Sequence, residues 1–424
     1  MKPPWNEPAT ALATAIKATS GWVAGPMAAL NRDIIAGACP GSEFAVAARH
    51  AVLPFLPSPR ACPPVPAQQF VVLVGMLGAG LGRHFQEQGT ARRGTPEKAF
   101  DLPAGPEDEP FLEYFARLAE RTGTGHPARD TYASLVRWNL PPSEAWCGGT
   151  RLAHLPSVFD DGAVRTYTAA PDEVRFFKLL KLSETLERGA NLVLEPIYDL
   201  DPTGPEALER LDAAAACLTT LHRLNADFAA LPPQDSLRPA YFMDVFRQFA
   251  VHWRLGDVPP SGALDPEAIV RDLLLGTPHS VILPALLDGE RARIAAAGQR
   301  PSVIDLILAR CGDSRSVAEF PVLAAAYRVL MAHARVSGTH LRLSKKYLFN
   351  PQRSRDAGGV GDTGVVSNRR GTTGMDEDDL TRLTSARRHP LLRELRSEPR
   401  PPFAAPAVQV SFVPAAADCS KEAA

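Results

Sequence analysis

An excess of either charge is absent: 46 Lys and Arg stand against 47 Asp and Glu, a formal charge of -1. A chain so balanced carries no global field toward polyanions, so neither nucleic acid nor a membrane surface is expected as a partner, and a small neutral or zwitterionic ligand fits better. Long apolar runs are absent too. The most apolar stretch, Phe70 to Gly82, falls well short of the roughly 20 residues of a membrane span and reads as a buried helix. The six cysteines (Cys39, Cys62, Cys147, Cys217, Cys311, Cys419) are scattered, with no CxxC pair and no secretory-type segment. They read as reduced and mostly structural in a cytoplasmic protein. Neither HExxH, nor a Cys/His cluster at zinc spacing, nor a GxSxG elbow, nor a phosphate loop occurs in its required context, which disfavours zinc hydrolases, serine hydrolases and nucleotide enzymes.

What is present is apolar material, 45% of 424 residues, enough to bury a large core. Forty prolines gather in the first hundred residues and in the tail, where they punctuate short elements. Residues 1–155 alternate such turns with helical stretches, Phe111 to Thr122 and Ala128 to Asn139 among them, and read as a small, mainly helical domain. Residues 156–397 read as a larger all-α domain. Within it, Pro171 at a first helical position, Asp172 and Glu173 against the dipole and Gly189 as a stop predict a helix over 171–188. Gly204-Pro205 opens a second helix with Leu208, Leu211, Ala215, Leu218 and His222 on one face. The segments Tyr241 to Trp253 and Phe320 to Leu348 repeat the pattern, and a short helix is expected near Asp376 to Ser385. The Gly-rich, polar stretch 351–374 reads as a mobile loop or a linker, and 398–424 as a disordered tail. No internal repeat is found.

Ten histidines remain as candidates for chemistry. On the last long helix Ala326, Leu330, His333, Ser337, His340, Ser344 and Tyr347 share a face, and Gly338 leaves room beside His340 for a flat ligand. One imidazole on a rigid helix aimed into an apolar cavity is all that haem ligation requires. By periodicity alone such a histidine is more often a core residue, and spacing does not choose between His333 and His340. His222, His252 and His279 are further candidates.

The stretch SGTHLRLSKKYLFNPQ resembles the segment of indoleamine 2,3-dioxygenases in which a proximal haem histidine is followed seven residues later by Tyr, as His340 is by Tyr347. Other pieces are similar in the same order. TYTAAPDEVRFFKLLKLSETLERGA resembles the family's distal-pocket helix, HPARDTYASLVRWN its Tyr-containing helix, AYFMDVFRQFAVHW its substrate-arginine helix, and RGTTGMDEDDLTRLTSARR its Gly-Thr-rich lid. The likeness covers roughly residues 125–385. It implies an all-α, two-domain haem protein with haem b iron on His340. Tyr132, Phe176, Phe177, Leu180, Phe242, Arg247 and Thr372 would then meet the substrate, Arg247 through its carboxylate. It also implies O2, an electron donor and L-tryptophan or a related indole amino acid as partners, with an N-formylkynurenine-type product.

The family's Ser-Ala-Gly-x-Ser-Ser turn is replaced by Gly276-Thr277-Pro278-His279-Ser280, which puts Gly276 at the substrate. Leu180 stands where Ser is frequent and Thr373 where Gly is usual, and the family's Met-Pro and His-Arg pattern is missing around Gln299 to Leu308. Two other outcomes on the same scaffold stay open: oxidation of a modified indole or phenol, and O2 binding without turnover. A helical protein without haem is the third. Taken singly, Phe176, Phe177 and Phe242 are ordinary core aromatics and Arg247 an ordinary solvated charge.

Overall fold

The computed structural model describes residues 6–279, 283–399 and 406–414. Ser280 and Cys419, both considered above, lie outside the described residues. The protein is predominantly helical, with 61% helix and 5% strand.

Three long helices form the centre. Pro171–Leu194 and Val322–Ser344 both pack on Pro205–Ala230, which lies between them. Each follows from its sequence: Pro171 and Pro205 sit at first-turn positions, where a missing N–H costs nothing, and Leu211, Ala215 and Leu218 are buried along one face of the middle helix. Gly189 does not stop the first helix, which runs on to Leu194. A Cβ there would stand in ordinary contact, 3.5 Å from Cys217 Sγ and 3.7 Å from Ala145 Cβ, so packing does not require the glycine.

The acidic pair after Pro171 does more than complement a dipole. Glu173 accepts from the backbone N–H groups of Tyr167 (2.6 Å) and Thr168 (3.0 Å) and from the Tyr241 hydroxyl, while Asp172 takes the Arg238 guanidinium at 2.8 Å. The adjoining 167–168 segment and a second one distant in sequence, 238–241, are thereby tied to one helix start. The second of them is shorter than expected: Pro239–Tyr241, a wide π-type turn Phe242–Phe246 and a 3-10 turn Arg247–Phe249 replace a helix reaching Trp253. Likewise only Ala133–Arg137 is helical within 128–139, again as a π-type turn.

Strands are few, and pattern reading missed them. β1 (Pro103–Ala104) pairs with β2 (Glu109–Pro110). β3 (Ser143–Cys147) lies between β4 (Thr150–Leu155) and β5 (Val408–Phe412), antiparallel to both, with Ser143 opposite Phe412 and Cys147 opposite Val408. The expectation of a disordered tail over 398–424 is therefore corrected at 408–412. The 351–374 expectation is corrected in part as well, since Asn350–Ala357 is a helix.

The apolar run at 70–82 lies inside a 23-residue helix, Pro64–Gln86, the one described helix long and apolar enough to cross a bilayer. It is longer than the run suggested, and 78% of its most apolar window is buried in the protein. One continuous apolar core spans both sides of residue 155, from Val23 to Leu395. Trp253 links the two parts: fully buried, it packs edge-on against Phe115 (5.0 Å between ring centres) and lies under Gly78, where an added Cβ would come within 2.4 Å of the indole. We expect Gly78→Ala to lower stability by about 1–3 kcal/mol through overpacking, read as a shifted urea midpoint at unchanged slope.

Candidate functional site

Between the Pro171–Leu194 and Val322–Ser344 helices lies a cavity of ≈ 340 Å³, within the ~300–1,000 Å³ range of small-molecule and cofactor sites. Along the first helix Phe176, Leu180, Ser183 and Glu187 line it at spacings of four, three and four, a single helical stripe. Val336, Ser337, His340 and Ser344 face it from the second. Residues of three π-type turns, Ala133–Arg137, Phe242–Phe246 and Lys345–Phe349, complete much of the wall. Such turns redirect side chains that a regular helix would place elsewhere.

A buried polar clamp positions the first wall. Lys181, with no exposed surface, donates to the carbonyls of Arg137 (2.6 Å), Leu140 (3.1 Å) and Pro156 (2.6 Å). One turn on, Glu184 pairs with Arg137, which also reaches Glu290 at 2.5 Å. The turn carrying Leu135 and Val136 is thus held against the helix that carries Leu180 and Ser183.

The structure separates the two histidines that spacing left equal. His333 is fully buried outside the cavity lining, with Nε2 3.2 Å from Thr277 Oγ1 and 3.7 Å from Asp272 Oδ1. His340 lines the cavity, and neither ring nitrogen has a hydrogen-bond partner among the described residues. Its side chain is exposed, yet desolvation, with Arg387 and Arg271 nearby, lowers its pKa to about 4. Both hold because the ring projects into the cavity, with protein around it on several sides and nothing packed on it. The imidazole is neutral at pH 7 and free to donate a lone pair. Gly338 has no atom within 4 Å of an added Cβ, so packing does not require a glycine there. His222 is engaged with Thr339 (2.8 Å) and His252 with Asp257 (3.0 Å), whereas His279 also lines the cavity.

At one end Phe176, Phe242 and Phe246 form an aromatic cluster with ring centres 5.4–6.1 Å apart. Arg247 follows directly in sequence. It is 5% exposed and forms no ion pair among the described residues; it donates to the carbonyls of Ser367 (2.7 Å) and Arg370, more weakly to Thr372 Oγ1 (3.4 Å), and its Nε has no partner. Desolvation lowers its pKa to about 10, which leaves it charged. Gln248 clasps the same loop, accepting from the Val366 N–H at 2.9 Å and donating to its carbonyl at 3.1 Å. The loop 366–375 lies over this end, with Thr372, Thr373 and Met375 facing in.

Tyr132, Phe176, Phe177, Leu180, Phe242, Arg247, Thr372 and His340 all reach this one cavity. Gly276 does not, and its placement at a substrate is corrected. It turns the chain at φ 67°, and an added Cβ would meet Ser302 Oγ at 2.7 Å, so the glycine serves a close backbone approach. Sequence reading missed Ser261, Gly262 and Ala263, which line the wall against Leu180, and the carboxyls of Glu187 and Asp265. The Pro-Pro-Ser-Gly-Ala run at 259–263 was the available signal for the first group. Nothing local marked the second.

No family model matches this chain, and a search of curated proteins finds no match. Among the described residues no group of three or more His, Cys, Asp or Glu is placed to hold a metal ion. A metal-bearing group held through one imidazole is the arrangement that His340 suits. Haem fits on three counts: the unpartnered ring, the apolar walls, and the partnerless buried hydroxyls of Tyr132 and Ser337 at the cavity.

His333 has a consequence for acid stability. Burial lowers its pKa from 6.5 to about 3, so as pH falls through 6.5 the unfolded chain takes up a proton that the folded chain refuses. Its contribution is therefore present above pH 6.5 and lost toward pH 3. Relative to the wild type, His333→Leu should escape about 2 kcal/mol of the stability lost between about pH 7 and pH 5, measured by urea unfolding at both values.

Proposed function

We propose that this chain is a haem-dependent dioxygenase acting on L-tryptophan or a related indole, as the resemblance of its ordered motifs implies. The observation that carries the reading is the meeting of a partnerless imidazole, His340, and a buried guanidinium without a carboxylate, Arg247, in one largely apolar cavity. Haem b, when bound, would supply oxygen activation and the redox chemistry. His340 would be its protein ligand. Arg247 would bind a substrate carboxylate, replacing neutral carbonyl partners by an ion pair. Phe176, Phe242 and Leu180 would hold an indole ring and keep water out, and Thr372 would close on the head group as the loop settles. No side chain is needed as general base in this scheme.

A second reading, oxidation of a substituted indole or phenol, is favoured by the polar groups at the opposite end of the cavity, Glu187 and Asp265, which a plain indole ring would leave unused.

The first test is haem titration followed by absorbance: the wild type should show a histidine-ligated Soret band and His340→Ala should lose tight binding. Retention of that band in His340→Ala together with its loss in His333→Ala would move the ligand to His333. Given O2, a reductant and L-tryptophan, the haem-loaded protein should release a product heavier by two oxygen atoms. Arg247→Ala should weaken the amino-acid substrate by about 2–5 kcal/mol, read as substrate affinity by spectral titration, and unchanged affinity would remove Arg247 from the site.

A further inference from the structure

At the end of the cavity away from Arg247, two carboxyl side chains that the proposed oxidation does not use, Glu187 and Asp265, converge with the hydroxyl of Tyr132. They are 6%, 6% and 3% exposed. The two ends are far apart. Phe176, whose ring centre is 5.4 Å from that of Phe246 beside Arg247, lies eleven residues before Glu187 on one helix, hence about 16 Å along the axis at 1.5 Å per residue.

Charge matching singles out one of the three. Among the buried acids around this end, Glu184 pairs with Arg137, Glu187 with Arg271, Glu267 with Arg188 (2.9 Å) and Arg293 (2.6 Å), and Asp272 with Arg271 (2.9 Å) and Arg387 (2.6 Å). Asp265 forms no ion pair among the described residues. Arg271 directs Nε and one terminal nitrogen to Asp272 and the other to Glu187, so its charge reaches Asp265 only through space. Asp265 accepts one backbone hydrogen bond, from Glu267 N at 2.9 Å, as the cap of the Pro266–Leu274 helix. The Tyr132 hydroxyl, wholly buried on a residue that lines the same cavity, has no hydrogen-bond partner among the described residues. A carboxyl without an ion pair and a hydroxyl without a hydrogen bond among the described residues, both on side chains that line the cavity, mark a place that a donor group can complete.

We propose that Asp265, with Glu187 and the Tyr132 hydroxyl, forms a subsite for an organic ammonium group, so that the cavity binds an amine at this end independently of a carboxylate at Arg247. The inference rests on the cavity being a small-molecule site and requires neither haem nor tryptophan. Burial, then the neighbouring charges of Glu187 and Glu184, holds the Asp265 carboxyl far above the usual carboxylate range, so the pair it makes with Glu187 keeps a proton. An arriving ammonium replaces that proton as the compensating charge, and one proton leaves as the amine binds. Tyr132 can accept from the ammonium or donate to the carboxylate so formed.

The test is calorimetric binding of 2-phenylethylamine and of 3-phenylpropanoate to the full chain. The amine should bind with release of a proton, seen as an enthalpy that varies with the ionisation enthalpy of the buffer. Asp265→Asn keeps the helix-cap acceptor and should weaken the amine by about tenfold or more while abolishing proton release. Tyr132→Phe, which removes a single hydroxyl, should weaken the amine severalfold. Neither change should alter 3-phenylpropanoate, whose affinity should fall only in Arg247→Ala. Equal binding of the amine to the wild type and Asp265→Asn would overturn the subsite. So would an amine that does not bind while the acid binds through Arg247, an outcome that leaves the proposed function standing. Failure of both probes to bind would overturn both readings.

Discussion

The ammonium of Lys181, sealed from water and held by three backbone carbonyls, is the contact on which the cavity depends. An unpaired charge in such a place would be expelled or neutralised; three well-placed acceptors make its burial tolerable only while the helix and the 137–156 segment stay in register. Lys181 therefore fixes the rotation of the Pro171–Leu194 helix, and with it the stripe from Phe176 to Glu187. Glu173 and Asp172 act the same way at the start of that helix, bringing in the Tyr241 segment that delivers Phe242, Phe246 and Arg247. Polar pins, each specific in direction, set a wall whose lining is mostly apolar.

The parts of the molecule governed by local rules were open to reading from the sequence. Proline and acidic residues in a first turn marked where 171–194 begins, and three- and four-residue spacing marked the faces of 205–230 and 322–344. What escaped was set by tertiary contact. Gly189 has the form of a stop signal, yet the helix runs through it to Leu194 in the packed interior. β5 finds its partner more than 250 positions earlier in the chain, a pairing that no local window contains. The same limit explains the histidines: identical spacing puts His333 against Thr277 and Asp272 and His340 in open space, because different neighbours arrive at successive turns. It also explains why Asp265 gave no signal, since its lack of a cation is visible only once the surrounding arginines are seen to be committed elsewhere.

The cavity is thus electrically asymmetric along its length. One end offers a guanidinium whose partners are neutral carbonyls, the other the carboxyl of Asp265, which forms no ion pair among the described residues, and apolar side chains lie between. Each end, taken alone, is an unfavourable burial of charge that the core would avoid with apolar residues of similar size. Their retention at a cavity, with hydroxyls of Tyr132 and Ser337 also unmatched, is the pattern of a surface complementary to something it holds.

Arg247 adds a conformational consequence. Its best hydrogen bonds go to the backbone of the loop over the cavity, and Gln248 beside it grips Val366 on the same loop. A carboxylate entering the cavity would compete with those carbonyls, offering the guanidinium an ionic, bidentate partner in place of neutral oxygens. The loop would then lose its hold through Arg247 yet keep the one through Gln248, so it could shift around Val366 without detaching. Thr372, already 3.4 Å from the guanidinium, is the loop side chain placed to re-form a contact across a bound head group. Occupancy at the Arg247 end and position of the loop would then be linked through one hydrogen-bond exchange, whichever molecule supplied the carboxylate.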